Sequence, residues 1–436
     1  MTTPPTVWRD ALIVTQDAAR RVVRGDLRVD QGVITHVGEH APTEGAEVVD
    51  ARGFALVPGF VNTHGHVAMS VLRGIADDRD LGGFLETLFA VDARRTDADL
   101  EAGAAAGIAE MLLSGTTTFL DLYYGEDAIA RAVERLGIRG HLGWAVLDPA
   151  LTTQKGAPLD NAAAFIGRWK GHARVRPLVA PQGVYVCGPE TWLGARDLAV
   201  REQTLVHYHL SETRREVHEH EAKYGARPAI WLADIGFLGP GQVAAHGVWL
   251  TRREIQLLAE RRVGVAHCPS SNLKLATGGV APVVELREAG VVVGIGTDSV
   301  ASNNSLSMLR EMHVAGLVQK HHRWDAAALS AQTLLDLATV EGARMLGVAN
   351  HVGSLEPGKQ ADFSLVRLDH PTLMPARPEA LVSHLAYSAS EEAVDSVFVA
   401  GEPVVRHRAL VREAWDTVRR AAEAAADALW PSSGSR

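Results

Sequence analysis

Pro58-Gly59-Phe60-Val61-Asn62-Thr63-His64-Gly65-His66 is the stretch on which the reading of this chain turns. An apolar run delivers two histidines two positions apart. Side chains alternate faces along a strand, so His64 and His66 point the same way and can grip one metal ion. Further polar residues follow at the ends of later apolar runs: His209, His246 and Asp298. An ordered series of this kind favours a metal-dependent hydrolase over hydrogen-bonded core histidines.

Around that stretch, residues 60–350 alternate strand and helix patterns. Leu100–Ser114, Asp127–Leu136, Thr213–Tyr224 and Thr251–Arg261 have helical periodicity. Gly140–Leu147, Val175–Val179, Thr204–Leu210, Val243–His246 and Val291–Gly296 have strand character. The rhythm predicts a (β/α)8 TIM-type barrel rather than a doubly wound open sheet. Barrel strand ends converge on one mouth, whereas the ends in an open sheet spread apart. Short β-prone runs at both termini, such as Val7–Val14 and Ala361–Val366, predict a small β-sandwich domain completed from both ends. The expected division is 1–58 for the first part of that domain, 59–350 for the barrel, and 351–436 for the second part with a terminal helix over Glu413–Trp430. Pro431–Arg436 reads as a frayed tail.

Bulk properties narrow the function. The chain has 436 residues, a formal net charge of -9 and no basic block, which argues against a nucleic-acid partner. Two cysteines, Cys187 and Cys268, are too few for a disulfide scaffold or a thiolate-rich zinc site. No apolar run approaches the ~20 residues that span a bilayer, and no signal peptide is visible, so a soluble cytoplasmic protein is expected.

Each candidate residue has a plainer alternative. Along Thr204–Leu210, His207 and His209 share a face; His209 is favoured as the ligand because it lies nearer the strand end, leaving His207 as a hydrogen-bonded interior residue. Asp298, after Gly294-Ile295-Gly296-Thr297, can bind a metal and exchange a proton with an activated water, or serve as a turn residue. Glu212 can protonate a ring nitrogen or cap the following helix. His246 can polarise the attacking water or be a further ligand. His218 and His220 read as solvent-facing, and His267 as supporting. No lysine ends the Val175–Val179 strand, so a carbamate bridge between two metals is not suggested, and one metal is the economical choice.

These motifs, with Leu72-Arg73-Gly74, His209-Leu210-Ser211-Glu212-Thr213, His267-Cys268-Pro269-Ser270-Ser271-Asn272, Gly296-Thr297-Asp298-Ser299 and Ala301-Ser302-Asn303-Asn304, resemble the amidohydrolase superfamily. The likeness covers nearly the whole chain. It is to the deaminase and chlorohydrolase branch, which includes methylthioadenosine/S-adenosylhomocysteine deaminases, guanine deaminases and s-triazine hydrolases. The resemblance implies His64, His66, His209 and Asp298 as ligands of one divalent ion, zinc or iron. It implies Glu212, His246 and Asp298 as the proton-handling groups. The implied reaction is hydrolytic deamination of an aromatic N-heterocycle, a purine base, adenosine-type nucleoside or pterin, with release of ammonia. A triazine chlorohydrolase or N-alkylamine hydrolase is the runner-up. Trp144, Gln182, Ser302 and Asn303 are the expected substrate contacts, Trp144 alternatively packing at the barrel rim. No arginine occurs between Gly140 and Gly167, the segment that resembles the carboxylate-binding region of branch members acting on S-adenosylhomocysteine, which predicts a neutral substrate. Homodimer assembly is a further implication of the resemblance.

Overall fold

A computed structural model describes residues 4–430. Pro431–Arg436, expected as a tail, lie outside the described residues.

Eight parallel strands form the central barrel: β1 (Phe60–Gly65), β2 (Thr116–Tyr123), β3 (Arg139–Val146), β4 (Val175–Pro181), β5 (Val206–Leu210), β6 (Gln242–His246), β7 (Gly264–His267) and β8 (Val293–Ile295). Each pairs with the next in parallel register. The circle closes where β8 runs out. Gly65 and Asp298 form a parallel bridge, and the Asp298 amide donates to the His64 carbonyl at 2.9 Å. Asn62 reinforces this seam: its Nδ2 donates to Thr297 Oγ1 at 2.7 Å and its Oδ1 accepts from the Thr297 amide at 3.0 Å. The barrel is filled, not hollow. Val61, Leu120, Leu122, Ala145, Leu178 and Ala180 are buried in one apolar cluster inside it.

The chain termini build a separate nine-stranded sheet. Its middle is the antiparallel pairing of Phe54–Pro58 with Phe363–Arg367, the strands that enter and leave the barrel region. Trp8, Phe363 and Phe398 form an aromatic cluster on it, with centroids 4.8–5.1 Å apart. Burying aromatic rings from both ends in one cluster makes the sheet dependent on both.

Four helices matter for the site: α1 (Leu81–Asp92), α2 (Asp97–Leu113), α3 (Arg214–Tyr224) and α4 (Trp415–Leu429). The sequence reading passed over α1, although Leu81, Phe84, Leu85, Leu88 and Asp92 repeat at helical spacing. It also placed His220 in solvent. On α3, His218 is exposed but His220 is buried, its Nδ1 bonded to the Ala226 carbonyl at 2.9 Å and its ring against Trp231. A charged helix still has one face on the barrel, and His220 lies on it beside Val217 and Glu216.

The turn that follows His66, Val67–Leu72, packs on α2. Glycine makes that approach possible. A Cβ on Gly103 would sit 2.1 Å from the Ala68 carbonyl oxygen, and one on Gly107 would sit 2.3 Å from Ser70 Oγ. In an open helix Gly→Ala gains up to about 1 kcal/mol of propensity. Here overlap with a fixed backbone oxygen outweighs it. Gly103→Ala is therefore expected to destabilise the protein by about 1–3 kcal/mol, read as a lowered urea midpoint. An unchanged or raised midpoint would show that this packing is loose.

Candidate active site

The strand ends at the barrel's C-terminal mouth bring His64, His66, His209, His246, Glu212 and Asp298 together, all buried. Hydrogen bonds on the far side of each imidazole decide what it offers the mouth. His66 Nδ1 bonds the Leu122 carbonyl at 2.6 Å, and His209 Nδ1 bonds the Gln182 carbonyl at 2.7 Å. A carbonyl only accepts, so both Nδ1 atoms carry the proton and both Nε2 atoms present lone pairs. His64 is set through a relay. His207 Nδ1 donates to the Val243 carbonyl at 2.9 Å, which leaves His207 Nε2 to accept from His64 Nδ1 at 2.7 Å. His64 Nε2 is then a buried lone pair with no partner among the described residues.

Three Nε2 lone pairs converge in this way, and those of His66 and His209 are only 3.3 Å apart. Two facing lone pairs repel, and either a metal ion or a proton between them relieves it; although burial opposes it, Asp298 raises the pKa of His66, so the site draws a cation of one kind or the other. Asp298 Oδ1 is 3.4 Å from His64 Nε2 and 3.2 Å from His66 Nε2, adding an anionic donor. Ser271 Oγ donates to Asp298 Oδ2 at 2.5 Å and the Ser299 amide to Oδ1 at 2.7 Å, fixing the carboxylate plane. The ligating atoms of His64, His66 and His209 lie within 4.8 Å of one another. Nitrogen and carboxylate donors with oriented outer partners fit a divalent ion of borderline softness.

His246 has the other tautomer. The Asn272 amide donates to its Nδ1 at 3.1 Å, so the proton sits on Nε2, 3.8 Å from Glu212 Oε2. It therefore presents a donor to the mouth, not a lone pair. Burial pushes His246 down to about 3 and also lowers His64 and His209, which keeps all three imidazoles neutral. His246 and Asp298 both hold left-handed backbone, φ 73° and 60°, a conformation that costs non-glycine residues of order 1–3 kcal/mol and recurs at functional sites.

Glu212 does not cap α3. Thr213 and Glu216 form that capping box, and the Glu216 carboxylate also accepts from the Ser211 amide at 3.0 Å and the Glu212 amide at 2.7 Å. Glu216 thus holds the turn that carries Glu212 and leaves the Glu212 side chain free. Burial raises Glu212 well above the usual carboxylate range, with Asp298 and Glu216 adding to the shift. It is a proton donor facing the mouth.

A cavity of about 190 Å3 opens from these groups. Gln182 and Tyr185 line it, as do Leu81, Phe84, Leu85 and Leu88 on one face of α1. Asp92, Glu212 and Asp298 are its carboxyl-bearing lining residues, and no lysine or arginine is among the described lining residues. Arg95, near Asp92, has a fully buried side chain and bonds Tyr123 Oη at 2.9 Å.

Three expected substrate contacts stand away from the cavity lining. Trp144 is on the outer face of β3, where it packs on Phe165; its Nε1 donates to Gln154 Oε1 at 2.9 Å, and it is Gln154 that reaches the cavity. Alternation places Ala145 inward and Trp144 outward. Ser302 bonds back to Ser299, and Asn303 Nδ2 bonds the Thr297 carbonyl and Glu311, so both brace the loop that carries Asp298. Of the four, Gln182 lines the cavity, and its carbonyl also orients His209. His207 is the hydrogen-bonded interior residue expected, and its link to His64 is added by the fold; Asn272, Ser271 and Glu216 were given no role, their partners lying on other elements or across a turn.

The Amidohydrolase family profile matches residues 55–404. A 5-methylthioadenosine/S-adenosylhomocysteine deaminase of Thermodesulfovibrio yellowstonii is 40% identical over 410 residues, 92% of this chain and 93% of that protein. A 5'-deoxyadenosine deaminase of Methanothermobacter thermautotrophicus is 40% identical over 410 residues, 93% of this chain and 95% of that protein. Among solved structures, an adenosine deaminase from Xanthomonas campestris with bound zinc superimposes with a TM-score of 0.93 at 33% identity, covering 97% of this chain and 98% of that one. With its barrel, its converging histidines and these relatives, the chain belongs to the amidohydrolase family.

Proposed function

We propose that this protein is a metal-dependent aminohydrolase that removes the exocyclic amino group of a purine-type ring, in an adenosine-like nucleoside with an uncharged 5' substituent. The observation that carries the reading is the convergence of the His64, His66 and His209 Nε2 atoms, oriented by bonds to their Nδ1 atoms, with a buried Glu212, its carboxyl shifted toward the protonated form, across the same mouth. The relatives named as deaminases of methylthioadenosine and 5'-deoxyadenosine support it.

In this reading His64, His66, His209 and Asp298 hold one divalent cation, zinc or iron. When bound, that ion supplies Lewis acidity that makes a water nucleophilic near neutral pH. Asp298 takes one proton from the attacking water as its oxygen bonds the ring carbon. The His246 Nε2–H donates to that oxygen and holds it in line. Glu212 gives its proton to the adjacent ring nitrogen, so the electron pair of the C=N bond is accepted there. Asp298 passes its proton to the amino group, the C–N bond breaks, and ammonia leaves. The remaining hydroxyl proton returns to Glu212 as the ring carbonyl forms.

Two substitutions separate the roles. His64→Ala should lose both bound metal and activity. Glu212→Gln should keep the metal and lose about 10²–10⁴-fold in kcat, since it removes a positioned proton donor. Metal analysis alongside ammonia release from adenosine, methylthioadenosine and 5'-deoxyadenosine checks both. Full turnover in Glu212→Gln at equal metal content, or no ammonia from any nucleoside, would overturn the assignment.

The substrate's charge follows from the lining. A free carboxylate entering this cavity meets the Asp298 carboxylate, an Asp92 already paired with Arg95 and an apolar helix face, with no lysine or arginine among the described lining residues. Methylthioadenosine is therefore expected to exceed S-adenosylhomocysteine in kcat/KM by more than tenfold, roughly 1.4 kcal/mol of discrimination. Equal or reversed preference at matched metal loading would contradict it.

A further inference from the structure

The opposite end of the barrel carries a second polar cavity that the deamination does not use. It holds about 70 Å3 and is lined by Arg139, His141, Arg174, Arg176, His351 and Gln360, among others. Arg139 and His141 begin β3, and Arg176 stands beside His141 in the parallel register of β3 and β4. Above them lies the apolar barrel interior of Leu120, Leu122, Leu178 and Ala180. Below them runs the segment of Val348, His351 and Val352 on its way to the terminal sheet. The cavity therefore sits between the barrel floor and the returning chain, separated from the catalytic mouth by packed side chains.

Its charges do not balance. Asp362 holds Arg139 through two bonds of 2.7 and 2.9 Å. Glu402 accepts from Arg174 at 2.9 Å and from Arg412 at 2.5 Å. Three guanidinium groups thus share two carboxylates, and Arg176 has no carboxylate partner among the described residues. This concentration of positive charge occurs in a chain whose formal net charge is -9. Burial, then the nearby Arg139, lowers the Arg174 guanidinium from its ordinary value, as expected where cations crowd. His141 is a second, independent sign. Only 3% of the residue is exposed, its ring forms part of the cavity wall, and its nitrogens make no hydrogen bond among the described residues and open onto the cavity.

We propose that this cavity binds a small oxyanion of the phosphate type, contacted by His141 and Arg176 with Arg139 and Arg174 supplying the surrounding positive field. One such ion would partner the two groups that face the cavity without a protein hydrogen bond, His141 and Arg176. It accepts from the neutral His141 N–H and from the guanidinium of Arg176, and it offsets the uncompensated charge. Size agrees. At about 10–15 Å3 for each water-sized group, the cavity has room for roughly five to seven, and phosphate has five heavy atoms. A bound ion would also join β3 and β4 to the 348–360 segment, tying the barrel floor to the terminal sheet.

Calorimetric titration of inorganic phosphate into the metal-loaded, full-length protein tests this, at constant ionic strength set with chloride. The wild type should show one saturable site and a melting temperature that rises with phosphate. Arg176→Gln is the informative variant, because Arg176 is exposed and bonds no other residue, so the fold should stand and deaminase turnover should be unchanged. Its phosphate affinity should fall by about tenfold or more, the loss expected for a charge-assisted contact. No saturable binding to the wild type, or equal affinity in the variant, would refute the site. Phosphate that binds both proteins equally and inhibits turnover would instead locate the ion at the catalytic mouth. Neither result depends on which nucleoside the enzyme deaminates.

Discussion

The seam between the first and last barrel strands constrains everything around it. The Asp298 amide bonded to the His64 carbonyl, with Asn62 clasping Thr297 beside it, closes a sheet that would otherwise end in two edges. Because His64 and Asp298 are the residues so joined, closing the barrel and assembling the candidate metal site are one event. A chain that failed to bring β8 back to β1 would leave the histidines of β1 without their carboxylate. The left-handed backbone at Asp298 belongs to the same seam, since it turns the side chain inward while its amide keeps the bridge.

Within that frame, outer hydrogen bonds decide chemistry that residue type leaves open. Four buried histidines meet at the mouth; burial lowers His64, His209 and His246, whereas at His66 burial is outweighed by Asp298 and the pKa is raised. The three whose Nδ1 atoms face acceptors offer lone pairs; His246, facing the Asn272 amide, offers a proton. The same division of labour separates two glutamates four residues apart. Glu216 spends its carboxylate on three backbone amides, and so Glu212 is left protonated and unattached in the mouth.

The barrel also separates two fields. Its C-terminal mouth is lined by acids and apolar side chains, suited to a metal ion and an uncharged heterocycle. Its floor gathers arginines under the filled interior. Distance and solvent screening at each end keep the two charge sets from cancelling, since the low-polarizability core between them does not itself screen.

What the sequence alone determined follows from periodicity and local order. The alternation of strand and helix over 60–350 was sufficient for the barrel, and polar residues recurring at strand ends singled out His64, His66, His209, His246, Glu212 and Asp298 as candidates, which the fold gathers at one mouth. Period two along a strand also favoured His209 over His207. Tertiary structure decided what alternation cannot reach. Trp144 is turned outward by its place in β3, and Ser302 and Asn303 are drawn into the Asp298 loop. The relay through His207 and the placing of the α1 face against the mouth require partners whose proximity exists only after folding, whereas the Thr213–Glu216 capping box and the periodicity of α1 were local and legible. The bonds that set the histidine protons join one strand to another, His64 to His207 across 143 positions and His66 to Leu122 across 56, and so leave no local trace; those protons were placed by the fold.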